Sequence, residues 1–338
     1  MKTRKPRACI INLENKSKMM DKKQILEEIK RVTGNDSIKF PSQIQFSIKD
    51  GILNMHVNGK GVRDNMQTNG AAFEGWAICI KSCMPVVNNV LLSWDVPEYS
   101  IDVKEKNRQT KHYNRFLWRV SFFERHFDWF SICDTHLQVI TSFWEEHSNL
   151  LINYPKTKSK EKVTENGQIN KGEAKLERLL VKELRKTIPL TDHQLPVGLF
   201  DNEVKTENTC TPRGSSQIDL WQFDQNTLRI FELKDKDNNE VGIISELMFY
   251  ANVINELVMG KIHYPQSIYS AKDIRNIKAL HNAIINKSIK RIEAVFLVYQ
   301  FHPLISMNQD SVLEIINKGM NDNGVFFSIM FVQDIIQK

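Results

Sequence analysis

The chain has 338 residues and a mass of 39.4 kDa, which is more than one hydrophobic core usually organises, so two domains are expected. Its hydrophobic content of 41% and charged content of 25% are typical of a globular protein and exclude a disordered or fibrous chain. Lys and Arg number 46 against 40 Asp and Glu, and the resulting net charge of +6 suits a polyanionic partner without requiring one.

Membrane spans, export signals and disulfide bonds are not expected. No stretch approaches the ~18 uncharged apolar residues of a membrane span, and the N-terminal sequence MKTRKPRACIINLENKSK lacks the apolar segment of a signal peptide. Five cysteines are sparse and odd in number, which favours a reducing compartment. Cys79 and Cys83 are one helical turn apart, but no nearby Cys or His completes a zinc site, so we expect buried thiols. These features predict a cytoplasmic protein.

A change in composition divides the chain into two regions. Residues 155–171 alternate Lys with polar residues and carry few aliphatic side chains, so they cannot bury a core and are predicted to be a linker. We therefore expect an α+β domain over residues 1–154 and a second domain over residues 172–338.

Apolar spacing predicts both helices and strands in the first region. Helices are predicted at 22–32, 71–82 and 137–151. Strands are predicted at 86–96 and 116–123, and 43–59 is predicted to form a hairpin that turns at Asp50-Gly51.

A basic segment in the first region favours nucleic-acid binding. Its cations are Lys104, Lys106, Arg108, Lys111, Arg115 and Arg119, and aromatic residues lie between them. Cations that neutralise phosphates release counterions, and aromatic faces stack on bases. We predict that Lys104, Lys106, Arg108, Lys111 and Arg115 contact nucleic acid. The alternative is a solvated basic loop that leads into a core strand.

The second region opens with a predicted helix that carries acidic residues on its apolar stripe. The spacing of Leu176, Leu180 and Leu184 predicts one buried face over 172–186, and Glu173 and Glu177 fall on the same stripe. Such carboxylates either reach water at the edge of the stripe or meet a cation in the interior.

Two strands follow and are predicted to form a hairpin. Segments 217–223 and 227–234 are rich in β-forming residues, and Gln225-Asn226 makes a plausible two-residue turn. This register pairs position 224 with 227 and places Asp219 opposite Glu232, with Cβ atoms roughly 4.5–5.5 Å apart. A loop longer or shorter by one residue would place the two carboxylates on opposite faces.

The opposed carboxylates predict a metal site. Two like charges this close are destabilising unless a cation lies between them, and oxygen ligands suit Mg²⁺ or Mn²⁺. Lys234 follows Glu232 by two positions and points to the same face, where its ammonium could orient a water or neutralise charge on a phosphate.

At Asp219 and Glu232-Leu233-Lys234 the chain resembles the PD-(D/E)xK nuclease superfamily. The resemblance covers about half the chain, from Gly172 onward. Ile218 stands at the position of the motif's proline, and members of the superfamily commonly lack that proline. It implies an α/β (α+β) fold with a restriction-endonuclease-like mixed sheet flanked by helices. The family order of helix, three strands, helix and strand corresponds to 172–186, 193–205, the hairpin, 241–258 and 291–300.

The resemblance implies a Mg²⁺-dependent (or Mn²⁺-dependent) endonuclease that acts on DNA, most simply double-stranded, in a role such as restriction or phage defence. The implied metal ligands are Asp219, Glu232, Glu177 and the backbone carbonyl of Leu233, with Glu173 as a substitute for Glu177. Lys234 would complete the catalytic set. Some subfamilies carry a Gln or Glu followed four residues on by Tyr on the next helix, a spacing that Glu246 and Tyr250 share. By the helical period such a pair would face the site; the alternative is a surface Glu and a half-buried Tyr.

Two alternative functions follow from the same sequence. The first is a catalytically inactive protein of the same fold that binds nucleic acid or another partner. The second, a phosphate-loop NTPase or a nucleotidyltransferase, finds little support because no G-x-x-x-x-G-K-[ST] string occurs and Gly totals only 14. The last predicted strand, 325–332, is apolar enough either to extend the sheet or to pair with a second copy in a homodimer.

Overall fold

The computed structural model describes residues 19–98, 102–156, 173–212, 216–236 and 240–336. The N-terminal region contains α1 Lys22–Thr33, β1 Ile44–Lys49, β2 Ile52–Val57, α2 Phe73–Cys83, β3 Asn89–Trp94, α3 Val103–His126, β4 Phe130–Ile132, α4 Leu137–Glu146 and β5 Leu150–Ile152. Strands β1 to β4 form one sheet in that order, with β1 antiparallel to β2 and the other pairs parallel.

The C-terminal region contains α5 Glu173–Leu184, β6 Thr191–Pro196, β7 Leu199–Asp201, β8 Gln217–Asp224, β9 Thr227–Lys234, α6 Gly242–Val258, α7 Ile277–Ile285, β10 Arg291–Val298, α8 Pro303–Ser306, α9 Gln309–Met320, β11 Val325–Phe331 and α10 Val332–Ile336. Its five-stranded sheet has the order β11-β10-β9-β8-β6. The β6, β8 and β9 neighbours are antiparallel, whereas β9, β10 and β11 are parallel. The protein therefore has a mixed α/β fold with mixed sheets.

Local signals in the sequence set several of these boundaries. Helix α1 begins with a capping box, in which Asp21 accepts from the Gln24 N–H at 2.9 Å, and it ends at Gly34 with a φ of 62°. Asp50 and Gly51 both have positive φ, as a tight hairpin turn requires, and they connect β1 to β2 as predicted.

The β8–β9 hairpin has the predicted register. Asp224 pairs with Thr227, and the ladder continues to Leu220 opposite Phe231. Gln225 takes the left-handed conformation at the turn, with a φ of 52°. One face of the hairpin packs toward α6 and the other, through Leu220 and Phe231, toward α5, so both faces are covered as expected.

Segment 116–123 is helical, and the prediction of a strand there is wrong. The alternating apolar residues belong to α3, in which residues 115–120 are all buried. A helix that is covered on every side shows no single apolar stripe, so its pattern is easily mistaken for that of a strand. Two smaller corrections are that the helix predicted at 137–151 ends at Glu146, and that the strand predicted at 193–205 is divided into β6 and β7.

The two regions share one hydrophobic core among the described residues. Helices α2 and α6 are buried along almost their whole lengths and pack against each other. The segment before α2 also approaches α6 closely: a Cβ added at Gly242 would lie 1.9 Å from the Gln67 carbonyl oxygen. Only Pro155 and Lys156 of the predicted linker lie within the described residues, and the division into domains stays a prediction.

Two further observations concern the surface of the protein. In the ranges that the structure describes, no helix is both long enough and apolar enough to cross a membrane. Strand β11 occupies an edge of the five-stranded sheet, and its use as a dimer contact stays a prediction.

Candidate active site

The β8–β9 hairpin brings Asp219, Glu232 and Lys234 together beside α6. Asp219 Oδ2 accepts a hydrogen bond of 2.7 Å from the Leu233 N–H, which holds the Asp219 carboxylate against β9. The Lys234 ammonium donates to Glu232 on the same strand. The three side chains that the sequence assigned to one face therefore form a single cluster.

Helix α6 adds two side chains to this cluster. The Lys234 ammonium donates to Glu246 Oε2 at 2.8 Å, and the Tyr250 hydroxyl donates to Glu246 Oε1 at 3.0 Å. Their four-residue spacing places both groups on the helix face that meets the hairpin. Gln67, from the N-terminal region, also donates its side-chain amide to Glu246.

The cluster is largely shielded from water and contains more acids than bases. Glu232 is 2% exposed and Lys234 is 5% exposed, whereas Asp219 is half-buried and forms the accessible side. Glu232 Oε2 is buried and no donor lies within hydrogen-bond distance of it among the described residues, although the Glu232 and Glu246 carboxyl groups are close enough to share a proton. A buried carboxylate oxygen without a donor is costly unless a proton or a metal ion occupies its lone pairs.

Electrostatics within the cluster shift the pKa of each group. Burial raises the pKa of Glu232 well above its usual range, and the neighbouring Asp219 and Glu246 carboxylates raise it further. Burial also raises the pKa of Asp219, although Lys234 opposes this change. Burial would lower the pKa of the Lys234 ammonium, but Glu232 and Glu246 raise it well above its usual value. The lysine is therefore held in its charged form.

Glu246 behaves differently from the other two acids. Burial favours its neutral form, but Lys234 and the hydrogen bonds to Glu246 outweigh that effect and lower its pKa. The charged form of Glu246 is therefore favoured beside Lys234, whereas burial and neighbouring carboxylates disfavour the charged forms of Asp219 and Glu232.

Glu177 of α5 lies on the side of the cluster where β6 is distorted. Glu177 is 4% exposed, accepts a 3.1 Å hydrogen bond from the Gln194 side chain and raises the pKa of Asp219 electrostatically. Gln194 has a φ of 49°, a strained conformation for a residue within a strand, and its carbonyl accepts from Arg275 at 2.8 Å. Glu177 is therefore near Asp219, whereas the side chain of Glu173 lies outside the described part of the chain.

The basic segment forms one wall of a cavity of about 710 Å³. Lys104, Arg108, Lys111 and His112 of α3 line it from one side, and Glu207 and Pro212 of the C-terminal region line it from the other. Lys104 and Arg108 are exposed and Lys111 is half-buried. Lys106 belongs to the same helix, but its side chain lies outside the described part of the chain.

Arg115 differs from the other cations of this segment. It is 3% exposed and donates to Asn65 Oδ1 at 3.1 Å. The prediction that Arg115 lies on an exposed nucleic-acid-binding surface is therefore wrong. The segment is a helix rather than a loop and strand, and the next turn of that helix points into the core. Burial and the nearby Arg119 lower the pKa of Arg115 to about 10, whereas Tyr250 and Glu246 of the acidic cluster oppose this change.

A second cavity, of about 430 Å³, also carries cations. Lys156, Lys205 and Arg275 line it together with Gln217, which lies two positions before Asp219 on β8. Thr206 borders this cavity and the cavity at α3, so the loop that contains Thr206 lies between two basic recesses.

The donor set of the acidic cluster fits a divalent ion of the magnesium type. Asp219 and Glu232 offer carboxylate oxygens, which such ions prefer, and Glu232 Oε2 has a lone pair available. A divalent cation would compensate the burial and the carboxylate repulsion that together raise the pKa of both acids. Glu177 is near enough to Asp219 to raise its pKa, and the Leu233 N–H contacts the Asp219 carboxylate, but the roles of Glu177 and of the Leu233 carbonyl as metal ligands stay predictions.

Sequence reasoning missed Gln67 and Gln194, and it assigned Arg115 to nucleic-acid contact rather than to the surroundings of the site. Gln67 and Arg115 come from the N-terminal region, and the contact of Gln67 with Glu246 spans 179 positions. Gln194 was part of a predicted strand. A glycine at that position would have indicated a positive φ, but a glutamine gives no such signal. Comparison of the chain with protein-family models, with curated proteins and with solved structures finds no match.

Proposed function

We propose that this protein is a metal-dependent nuclease that hydrolyses phosphodiester bonds in DNA. The observation that carries the proposal is the buried cluster of Asp219, Glu232 and Lys234, in which one Glu232 oxygen has no partner among the described residues. The order α5, β6, β8, β9, α6 and β10 supports a restriction-endonuclease-like core for the C-terminal region.

Each side chain has a defined role in this proposal. Asp219 and Glu232 would hold Mg²⁺ or Mn²⁺, which supplies activation of a water molecule and polarisation of the scissile phosphate. Lys234 provides a permanent positive charge that orients the attacking water or neutralises charge on the phosphate oxygens. Glu246 keeps that ammonium charged and in place, and Tyr250 and Gln67 fix Glu246 by hydrogen bonds.

The two basic cavities support a polyanionic substrate. Lys104, Arg108 and Lys111 lie on one side of the loop that contains Thr206, and Lys156, Lys205 and Arg275 lie on the other. Cations arranged along a groove attract the phosphate backbone without regard to sequence. Asp219 is the half-buried member of the cluster, so we expect the phosphate to approach from its side.

Cleavage of supercoiled plasmid in the presence of Mg²⁺ or Mn²⁺ tests the function. We expect the wild-type chain to convert supercoiled DNA to nicked or linear forms, and EDTA to stop the reaction. Asp219→Asn and Lys234→Met should each reduce the rate by about 10²–10³-fold or more, because both groups act on the reacting atoms.

Two matched variants control for folding and charge in this experiment. Asp224→Asn changes an exposed acid at the turn of the same hairpin, and Lys236→Met changes an exposed lysine two positions after Lys234. Both should cleave at the wild-type rate. Cleavage by Asp219→Asn at the rate of Asp224→Asn would refute the catalytic assignment. DNA binding without any metal-dependent cleavage by the wild type would favour the inactive alternative.

The cavity at α3 can be tested by the salt dependence of DNA affinity. Arg108→Ala and Lys111→Ala, each in an Asp219→Asn background that does not cleave, should weaken binding to a labelled duplex. Each lost phosphate contact should reduce the slope of log K against log salt by about 0.9. Lys318→Ala removes an exposed cation from α9 and should leave the slope unchanged. Equal slopes in all variants, measured by fluorescence anisotropy, would exclude this cavity from the DNA path.

A further inference from the structure

Three potential metal ligands meet outside the acidic cluster, at the junction of the two regions. His147 follows the last residue of α4, Asp201 ends β7, and Cys210 lies in the segment between β7 and β8. One ligand atom from each lies within 4.8 Å of the other two. The three positions are far apart in sequence and form no recognisable spacing motif.

Hydrogen bonds already orient this group, which we call the His–Asp–Cys cluster. His147 Nδ1 lies 2.8 Å from Asp201 Oδ1, and the other ring nitrogen, Nε2, lies 3.2 Å from the Asn114 amide. Cys210 is 1% exposed, and its N–H donates to the Leu199 carbonyl, which anchors the segment to β7. The imidazole and the carboxylate are therefore held by their mutual hydrogen bond, and the backbone that carries the thiol is held by its hydrogen bond to β7.

We propose that the His–Asp–Cys cluster binds a zinc-class ion through His147 Nδ1, Asp201 Oδ1 and Cys210 Sγ, with solvent as the fourth ligand. One nitrogen, one oxygen and one sulfur ligand form a donor set typical of Zn²⁺. Ligand atoms in a tetrahedral zinc shell lie about 3.5 Å apart. His147 Nδ1 and Asp201 Oδ1, now 2.8 Å apart, would therefore separate slightly, and the remaining ligand atoms, all within 4.8 Å of one another, need only small shifts to complete the geometry.

Proton balance follows from this assignment. The ion takes the place of the proton between His147 Nδ1 and Asp201 Oδ1, and that proton moves to Nε2 of the neutral ring. Nε2–H then donates to the side-chain oxygen of Asn114 after its amide rotates by half a turn, which supplies the outer hydrogen bond that metal-bound histidines usually make. The Cys210 thiol loses its proton to solvent, so about one proton is released for each ion bound.

The position of the His–Asp–Cys cluster between the two regions favours a structural role for the ion. Asp201 and Cys210 lie at the two ends of the segment that contains Thr206 and separates the basic cavities. His147 belongs to the N-terminal region and Asp201 to the C-terminal region, where β5 and β7 also pair. A bound ion would fasten both ends of this segment to α4 and hold the two basic cavities in a fixed relation. This role is separate from the catalytic cluster.

Metal content and cobalt spectroscopy of the full chain test the proposal. After removal of loosely bound metal, the wild type should retain about one equivalent of Zn²⁺, and Co²⁺ in its place should show a thiolate-to-cobalt charge-transfer band. This spectrum needs no variant, so it is decisive even if a substitution impairs folding. Absence of stoichiometric Zn²⁺, or a Co²⁺ spectrum without a thiolate band, would overturn the assignment.

Variants then identify the ligands and separate this site from the proposed nuclease site. Cys210→Ser should abolish the charge-transfer band, whereas Cys133→Ser, which alters a half-buried thiol outside the cluster, should retain it. Asp201→Asn should weaken Zn²⁺ binding by at least about 10–100-fold. Asp219→Asn and Glu232→Gln should keep the full equivalent of Zn²⁺ and the band. Loss of Zn²⁺ in these two variants, with retention in Cys210→Ser, would also overturn the proposal.

Discussion

Replacing Glu232 with Gln is expected to abolish cleavage and, at the same time, to stabilise the metal-free protein. Glutamine keeps the shape of the side chain but removes one negative charge from a cluster in which three carboxyl groups surround Lys234. Lys234 keeps Glu246 as its partner, so no buried charge is left alone. We expect cleavage to fall by about 10³-fold or more, because a metal ligand is lost.

The stability of this variant follows from the cost of burying charge. The substitution replaces a buried carboxylate that Asp219 and Glu246 repel with a neutral amide, whose NH2 group can donate toward Glu246. It should therefore increase the free energy of unfolding by about 1–2 kcal/mol in the absence of metal. Thermal melts with EDTA and with excess Mn²⁺ measure both effects. The wild type should gain stability with Mn²⁺ by mass action, and Glu232→Gln should not. A variant that is less stable than the wild type in EDTA, and still responds to Mn²⁺, would contradict this prediction.

Replacing Arg119 with Met is expected to cause the largest loss of stability of the substitutions considered. Arg119 pairs with Glu74 through both carboxylate oxygens, and the two side chains are 3% and 2% exposed. Removing the guanidinium leaves the Glu74 charge buried and uncompensated, apart from the hydroxyl of Ser245 that donates to it at 2.7 Å. Breaking a buried pair in this way typically costs about 3–5 kcal/mol.

Urea unfolding measures this cost, and an exposed pair provides the control. Arg31 pairs with Glu28 on α1, but its side chain is 71% exposed, so Arg31→Met should change the unfolding free energy by less than about 1 kcal/mol. Replacing both Arg119 and Glu74 with Met should recover a large part of the loss, since no charge is then stranded. Equal effects of Arg119→Met and Arg31→Met would show that the buried pair does not stabilise the fold.

The part of the site that the sequence predicted depends on local interactions. The turn at Gln225-Asn226 fixes the register of the β8–β9 hairpin, and the register determines which face carries Asp219, Glu232 and Lys234. The helical period similarly predicted that Glu246 and Tyr250 share a face. In each case a spacing of a few residues was sufficient, because neighbouring positions set the direction of the side chains.

The part that the sequence did not predict depends on packing between distant segments. Segment 116–123 was assigned to a strand because a helix buried on all sides lacks the usual amphipathic pattern. This error also placed Arg115 on the surface, whereas the structure turns it toward the acidic cluster. The partners Gln67 and Glu246, like those of the His–Asp–Cys cluster, meet only after the two regions pack together.

The contact between α2 and α6 has a consequence for how the protein is made. Glu74 of α2 and Ser245 of α6 are 171 positions apart, so a ribosome that adds about 5–20 residues per second needs about ten to thirty seconds to deliver the second helix after the first. During that interval α2, which is buried along most of its length and packs against both α6 and α9, lacks part of the surface that finally covers it. The nascent N-terminal half should therefore be a substrate for chaperones until translation passes the end of α9.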